Sequence, residues 1–354
     1  MMMRRTENLN IEGFEPLITP KQLKHIVPLT EEASKVVTEG RRRIIDVIER
    51  RDPRFLLVVG PCSIHDPVGA IEYAERLKRL GDEVADRIRV VMRVYFEKPR
   101  TSVGWKGLIN DPYLDDSHNI GEGLRRARGL LAEIAGLGLP TASEMLDPIT
   151  PHYLADLISW GAIGARTTES QTHREMASGL SFPVGLKNGT DGALHIAVNA
   201  MRSARTPHRF LGINEDGISS VVRTRGNPHV HIVLRGGIAG PNYDPSYVRE
   251  AERILDEANL PTRIMIDCSH ANSGKDHRRQ EPVLESVLAQ IRDGNRSVFG
   301  AMIESYLHEG NQPIPEDLSH LAYGVSITDK CVDWETTERM IRRAHEMLAR
   351  PKTL

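Results

Sequence analysis

FLLVVGPC, residues 55–62, is an apolar run that closes on a glycine, a proline and a thiol, and its reading decides the fold. Five more runs end in the same manner: VVM at Arg93, GAIGA at Arg166, HIVL at Arg235, RIMIDCS at His270 and SVFGAMI at Glu304. Ordinary core strands have no reason to stop on reactive side chains. When many strands deliver ligands and cations from one end, a barrel of parallel strands with its site on the carboxyl-terminal face accounts for the pattern. Apolar runs near 55–60, 88–96, 141–146, 162–166, 183–187, 229–235, 263–268 and 298–304 alternate with helical patterns such as VGAIEYAERLKRL, GLRRARGLLAEIAGL and PVLESVLAQIRDG. The expected class is therefore α/β, a (β/α)8 TIM barrel. A doubly wound open sheet is the main rival, but it gathers ligands at one crevice from a few strands rather than from nearly all of them.

The chain of 354 residues, 40% hydrophobic and 27% charged, suffices for one such barrel with additions. Residues 1–50 precede the first strand as an N-terminal arm, and 51–354 hold the catalytic barrel. Within it, HRFLGI and ISSVVRT flank Asn214-Glu215-Asp216-Gly217, a turn between two β-like runs, so 208–223 reads as a hairpin inserted between the fifth helix and the sixth strand. Arm and hairpin are candidates for oligomer contacts or an effector site, with a plain surface hairpin as the alternative. The opening MMMRRTENLNIEGF has basic residues without an apolar core behind them, and no window reaches the roughly 18 apolar residues of a membrane span. Three cysteines are too few for a disulfide framework, so the expected setting is the reducing cytoplasm. A net charge of -2 conceals a basic pocket made of strand-end cations, which suits a small polyanion better than nucleic acid.

Cys62, His270, Glu304 and Asp329 come together only if the barrel closes, and one thiolate, one imidazole and two carboxylates suit a divalent transition metal. By ligand softness, manganese, iron, cobalt, zinc and copper are all compatible. Taken singly, each residue has a structural explanation: a small buried cysteine, a hydrogen-bonded histidine, a salt-bridged carboxylate. Cys268 competes for the thiolate place, because it shares alternation parity with His270. The second set is cationic. Arg93, Lys98, Arg100, Arg166, Lys187 and Arg235 all fall at predicted strand ends, with Thr101 closing the segment KPRT. Arginine grips phosphate and carboxylate oxygens through paired hydrogen bonds, and lysine adds a mobile point charge. Salt bridges to Glu97, Glu144 or Glu169 would explain part of this set. The remainder leaves room for a substrate load of several negative charges.

The motifs GPCSIHD at 60–66, RVYFEKPRTSVGWKGLINDP at 93–112, GAIGARTTESQ at 161–171, PVGLKNGTDG at 183–192, HIVLRGG at 231–237, IDCSHANS at 266–273 and YGVSITDKC at 323–331 carry a family resemblance. Over residues 15 to 345 the chain resembles the short, feedback-regulated 3-deoxy-D-arabino-heptulosonate 7-phosphate (DAHP) synthases. The resemblance implies condensation of phosphoenolpyruvate with erythrose 4-phosphate, the first step toward aromatic amino acids, with a divalent metal ion, manganese favoured. It implies Cys62, His270, Glu304 and Asp329 as metal ligands. Arg166, Lys187 and Arg235 would hold the phosphoenolpyruvate phosphate, Arg93 with Lys98 its carboxylate, and Arg100 with Thr101 the phosphate of erythrose 4-phosphate. Lys98 is the expected proton donor and Glu144 a candidate for positioning water. An effector pocket maps to Pro151, Met176, Leu180, Ser181, Phe210, Gly212 and Val222. Gly212 favours tyrosine over phenylalanine as inhibitor, because phenylalanine-regulated relatives often carry serine there; His152, where many relatives have glutamine, is a departure at the pocket's border. A Cys62–Cys331 disulfide in the metal-free enzyme and a homodimer or homotetramer built through the arm complete these expectations. Two readings stay open beside them: a related phosphoenolpyruvate–sugar synthase, and a metabolite sensor without catalysis.

Overall fold

The computed structural model describes residues 6–100 and 104–349. The strands are β1 (Phe55–Gly60), β2 (Ile88–Arg93), β3 (Thr141–Glu144), β4 (Trp160–Ile163), β5 (Val184–Lys187), β6 (Arg209–Ile213), β7 (Ser219–Arg223), β8 (Val230–Leu234), β9 (Ile264–Asp267) and β10 (Val298–Glu304). Eight of them close a parallel barrel in the order β1-β10-β9-β8-β5-β4-β3-β2, while β6 and β7 pair only with each other. The helices are α1 (Pro20–Ile26), α2 (Glu31–Ile48), α3 (Pro67–Glu83), α4 (Ile120–Gly136), α5 (Thr150–Leu154), α6 (Gln171–Ala177), α7 (Leu194–Ala204), α8 (Pro245–Glu257), α9 (Gln280–Arg292) and α10 (Trp334–Ala349). The (β/α)8 barrel is the expected fold, and the open sheet is excluded by closure between β1 and β10.

Strand alternation divides the apolar residues in two. Leu56, Val58, Val91, Ala142, Trp160, Ala162, Val233, Met265 and Met302 point into the barrel, whereas Leu57, Val59, Val184, Ile264, Ile266 and Cys268 pack under the helices. The interior cluster also contains Ile44, Val47 and Ile48 of α2. Buried positions 33, 37, 40, 44, 47 and 48 recur at helical spacing on that helix, with Thr30 capping it by accepting from the Ala33 amide. Gly40 lets α2 approach Pro140 and Ser159, which precede β3 and β4; a Cβ there would stand 2.9 Å from Ser159 Oγ. Helix α2 thus closes the amino-terminal mouth, although the sequence places it in the arm.

The strand limits depart furthest from expectation at β2 and β4. β2 ends at Arg93 rather than 96, because Val94–Glu97 leave the ladder while staying buried. β4 runs from Trp160 to Ile163, since Gly164 begins a turn that accepts from the Thr167 and Thr168 amides. The hairpin forms as read, with Phe210 opposite Val222 and Gly212 opposite Ser220. Its tip is tied to α1 by ion pairs of Lys21 with Asp216 (3.1 Å) and Lys24 with Glu215 (2.8 Å).

Candidate active site

The carboxyl-terminal mouth opens into a cleft of about 650 Å³ walled by Arg93, Lys98, Arg100, Glu144, Arg166, Lys187, Arg235, His270 and Asp329, among others. That size lies within the range of small-ligand sites. Six cations from four strand ends, those of β2, β4, β5 and β8, therefore share one space. Strand alternation explains the layer beneath it: Arg93, Glu144, Lys187, Asp267 and Glu304 each follow the inward parity of their strand and end it.

Donor atoms of Cys62, Glu304 and Asp329 lie within 4.8 Å of one another. His270 stands beside this group, its Nε2 3.9 Å from Glu304 Oε1 and its Nδ1 2.9 Å from Asp267 Oδ2. One thiol and two carboxylates at this spacing fit a divalent transition metal, and the free Nε2 supplies a further nitrogen donor on the Glu304 side. Burial, then the nearby Glu304, raise the Cys62 thiol above its ordinary range, with Lys98 opposing. Lys98 Nζ donates to Cys62 Sγ at 3.1 Å and to Cys62 O at 3.2 Å. Burial resists ionisation of Asp329, yet Lys98, His270 and Arg93 hold its carboxyl below the usual range.

The ion pairs differ from those weighed on the sequence. Among the described residues, the strand-end cations do not pair with Glu97, Glu144 or Glu169. Arg93, 1% exposed, instead donates to Glu304 Oε1 at 2.9 Å, to Pro61 O and to Cys62 O, and stacks 3.5 Å over the Tyr95 ring. Lys187 Nζ donates to Asp267 Oδ2 at 2.9 Å. Arg166 and Arg100 are exposed, donating to Pro99 O and Trp105 O respectively. Thr101 lies outside the described residues. Glu144 is buried against Gly164, where a Cβ would come within 2.2 Å of Oε1; among the described residues that oxygen has no hydrogen-bond partner.

Cys268 does not compete for the donor group. β9 ends at Asp267, so His270 sits in a turn with φ 56° and the parity that linked it to Cys268 no longer applies. Cys268 belongs to the helix-side cluster and Asp267 takes the inward place. Sequence reading missed Asp267, and with it a set of buried asparagines. Asn188 accepts from the Arg235 amide, Asn242 from the Gly236 amide, and Asn272 donates to Leu234 O and Asp267 O. These residues lock the turns after β5, β8 and β9 together. Lys275, also missed, lines the cleft beside His270.

Cys331 Sγ accepts from the Cys62 amide at 3.4 Å, and both cysteines are free and buried. The seven effector candidates sit on the barrel's outer flank: Pro151 on α5, Met176 on α6, Leu180 and Ser181 after it, Phe210 and Gly212 on β6, Val222 on β7. The hairpin joins the α6 end through Ser178 Oγ and Thr224 Oγ1, 2.7 Å apart. Phe210 and Val222 are half-buried, whereas Leu211 and Val221 on the opposite hairpin face are exposed. A Cβ at Gly212 would stand 2.7 Å from Val222 Cγ2.

The carboxyl-terminal mouth of the parallel barrel thus joins a metal-type donor group to a ring of cations. The match to the DAHP synthetase I family extends over residues 26–342, and the chain belongs to that family. It is 57% identical over 342 residues to the tyrosine-sensitive phospho-2-dehydro-3-deoxyheptonate aldolase of Salmonella typhimurium, covering 97% of this chain and 96% of that one. Against the phenylalanine-sensitive enzyme of Escherichia coli K12 it is 52% identical over 342 residues, with 97% of each covered. The solved phospho-2-dehydro-3-deoxyheptonate aldolase from Francisella tularensis superposes with a TM-score of 0.93 at 49% identity, covering 96% of this chain and 98% of that one.

Proposed function

We propose that this protein is a DAHP synthase, a transferase that condenses phosphoenolpyruvate with erythrose 4-phosphate, releases phosphate, and is inhibited by tyrosine. The observation that carries the reading is the single cleft in which Arg93, Lys98, Arg100, Arg166, Lys187 and Arg235 surround a thiol–carboxylate donor group. Two phosphorylated substrates need that much positive charge, and clamping both by their anionic ends supplies the orientation a two-substrate reaction requires. The 57% identity to a tyrosine-sensitive relative favours tyrosine over phenylalanine as the effector.

Cys62, His270, Glu304 and Asp329 would hold the metal, manganese first, which when bound acts as a Lewis acid on the aldehyde of erythrose 4-phosphate. Carbon three of phosphoenolpyruvate then bonds to the aldehyde carbon, and Lys98, beside the donor group, gives the forming alkoxide its proton. Carbon two is left electron-poor. A water adds there, its proton passing toward the unpartnered Glu144 Oε1. The resulting hemiketal phosphate breaks its carbon–oxygen bond, leaving the keto acid, while Arg166, Lys187 and Arg235 hold the departing phosphate. Arg93 and Lys98 would take the carboxylate of phosphoenolpyruvate, and Arg100 the phosphate of its partner.

No helix among the described residues is long and apolar enough to cross a membrane, and three buried free cysteines agree with a reducing cytoplasm. The arm and hairpin would build a homodimer or homotetramer. The test is phosphoenolpyruvate consumption with erythrose 4-phosphate, after chelation and again with manganese added. Metal-restored turnover that arabinose 5-phosphate does not support, reduced by tyrosine more than by phenylalanine, is the expected result. Turnover with arabinose 5-phosphate points to the related sugar synthase, and none with any metal to a sensor.

A further inference from the structure

Asp267 is 1% exposed, and every acceptor position of its carboxylate is in use. Oδ2 is 2.9 Å from both Lys187 Nζ and His270 Nδ1. Oδ1 accepts from the Ser269 amide at 3.0 Å and from Ser269 Oγ at 2.6 Å. The Ser269 hydroxyl proton is therefore spent on Asp267, and the lone pair it turns to His270 Nδ1, 2.7 Å away, can only accept. With two acceptors at Nδ1 that nitrogen must carry the hydrogen, so in the neutral ring Nε2 keeps its lone pair, directed to the Glu304 side at 3.9 Å. The Asp267 backbone is anchored as well, since Asn272 Nδ2 donates to its main-chain carbonyl at 2.8 Å.

We infer that Asp267 is a positioning residue that holds both halves of the site: it sets the His270 tautomer that leaves Nε2 open to a metal, and it fixes the Lys187 ammonium in the phosphate cradle. The inference rests on the roles given to His270 and Lys187 under the proposed function. A buried ion pair serving the fold alone would need only Lys187. The shared oxygen instead joins β5, which ends in the phosphate-side cation, to the turn after β9, which carries the metal-side imidazole. Replacing the carboxylate by an amide removes one charge, and an Asn side chain that turns its NH₂ toward Nδ1 drives the hydrogen to Nε2, where it blocks coordination.

The test is Asp267→Asn in the full-length protein, with manganese binding followed by the electron paramagnetic resonance of free Mn2+, independent of catalysis. We expect the dissociation constant to rise about ten- to a hundredfold, the usual loss for a ligand's hydrogen-bonding partner. At saturating metal, KM for phosphoenolpyruvate should rise on the order of tenfold, as for loss of a charge-assisted contact, while KM for erythrose 4-phosphate stays put. Unchanged manganese affinity, or both KM values rising together, overturns the inference. Should the variant fail to fold, nitrogen-15 histidine spectra of the metal-free wild type, recorded with rising pH until the ring shows its neutral form, decide the matter. An Nδ1–H tautomer for His270 supports the inference, and an Nε2–H tautomer ends it. If the wild type itself does not join the two substrates, the proposed function falls, but the manganese titration and the tautomer still judge the tie between Asp267 and His270.

Discussion

The two mouths of the barrel are built from the same eight strands and the same alternation, yet they hold opposite materials. At the amino-terminal mouth the inward side chains are Leu56, Val91, Trp160 and Phe299, covered by Ile44, Val47 and Ile48 of α2. At the carboxyl-terminal mouth they are Arg93, Glu144, Lys187, Asp267 and Glu304, with Arg93–Glu304 and Lys187–Asp267 as buried ion pairs. Apolar burial stabilises wherever it occurs, whereas a buried pair is favourable only while both partners remain. The lower mouth therefore carries stability, and the upper mouth spends some of it on reactivity.

The sharpest way to break this division is Glu304→Ala. Loss of the carboxylate removes a metal donor and leaves the buried Arg93 without its counter-ion, so activity should fall by at least about a thousandfold for a site this dependent on its metal. Stability should fall by roughly 3–5 kcal/mol, the cost of an uncompensated buried charge. Rates at saturating manganese and urea unfolding check the two effects. Wild-type stability in this variant would mean that the upper mouth tolerates an unpaired arginine.

Ile44→Ala tests the other mouth. Truncating a buried isoleucine costs roughly 2–5 kcal/mol, and urea unfolding should report that loss as a lower midpoint at unchanged m-value, while kcat and both KM values of the folded enzyme remain as in the wild type. A drop in kcat at temperatures where the variant is fully folded would show that α2 also supports the chemistry.

What the sequence reveals follows the same division. The upper mouth was legible because reactive residues at strand ends interrupt apolar runs, and because Cys62, Arg93, Lys187, Arg235 and Glu304 are of types that rarely end a strand by accident. Asp267 was not legible: set between Ile266 and Cys268, it reads as the interior of a strand, and only the turn that starts after it separates its parity from that of His270. The three asparagines were hidden by distance, since 188, 242 and 272 meet only when three strand ends do. At the lower mouth α2 fell inside the arm of residues 1–50, and a stretch before the first strand does not state which surface it covers. Residues 31–48 consequently read as part of an arm when their apolar face completes the barrel interior.

Acid and base should distinguish the mouths by sign. His231, buried near the start of β8, is neutral and satisfied at both nitrogens: Nε2 accepts from Trp160 Nε1 at 3.2 Å, and Nδ1 donates to His229 O. A proton at Nε2 would meet the indole N–H, and burial pushes the group down to about 3. The unfolded chain then binds more protons between pH 6.5 and 3, so this contribution is complete above 6.5 and is lost as pH falls, at up to about 1.4 kcal/mol per pH unit. Glu97, near the upper mouth, behaves oppositely: burial and then Asp147 push it up to about 8, so its contribution is full below 4.5 and is lost as pH rises through 8. Urea midpoints against pH should flatten on the acid side in His231→Gln and on the alkaline side in Glu97→Gln. A parallel displacement of either curve, without change of slope, would remove that residue from the account.

The smallest expected effect lies away from both mouths, on the hairpin. Gly212 stands opposite Ser220, and a side chain there would press on Val222 Cγ2, one of the atoms of the proposed effector pocket. Gly212→Ser should leave uninhibited turnover and stability within the small range of surface changes, about 0.5 kcal/mol, because the hairpin is separate from the barrel ladder. Inhibition is where the change should register. If the space at 212 accommodates the phenol hydroxyl of tyrosine, filling it should weaken tyrosine about tenfold and leave phenylalanine little affected, the scale on which a pocket discriminates by one small group. Equal weakening of both amino acids would indicate a displaced hairpin, and unchanged tyrosine inhibition would move the choice of effector to another residue, with His152 of α5 next to be replaced, by glutamine.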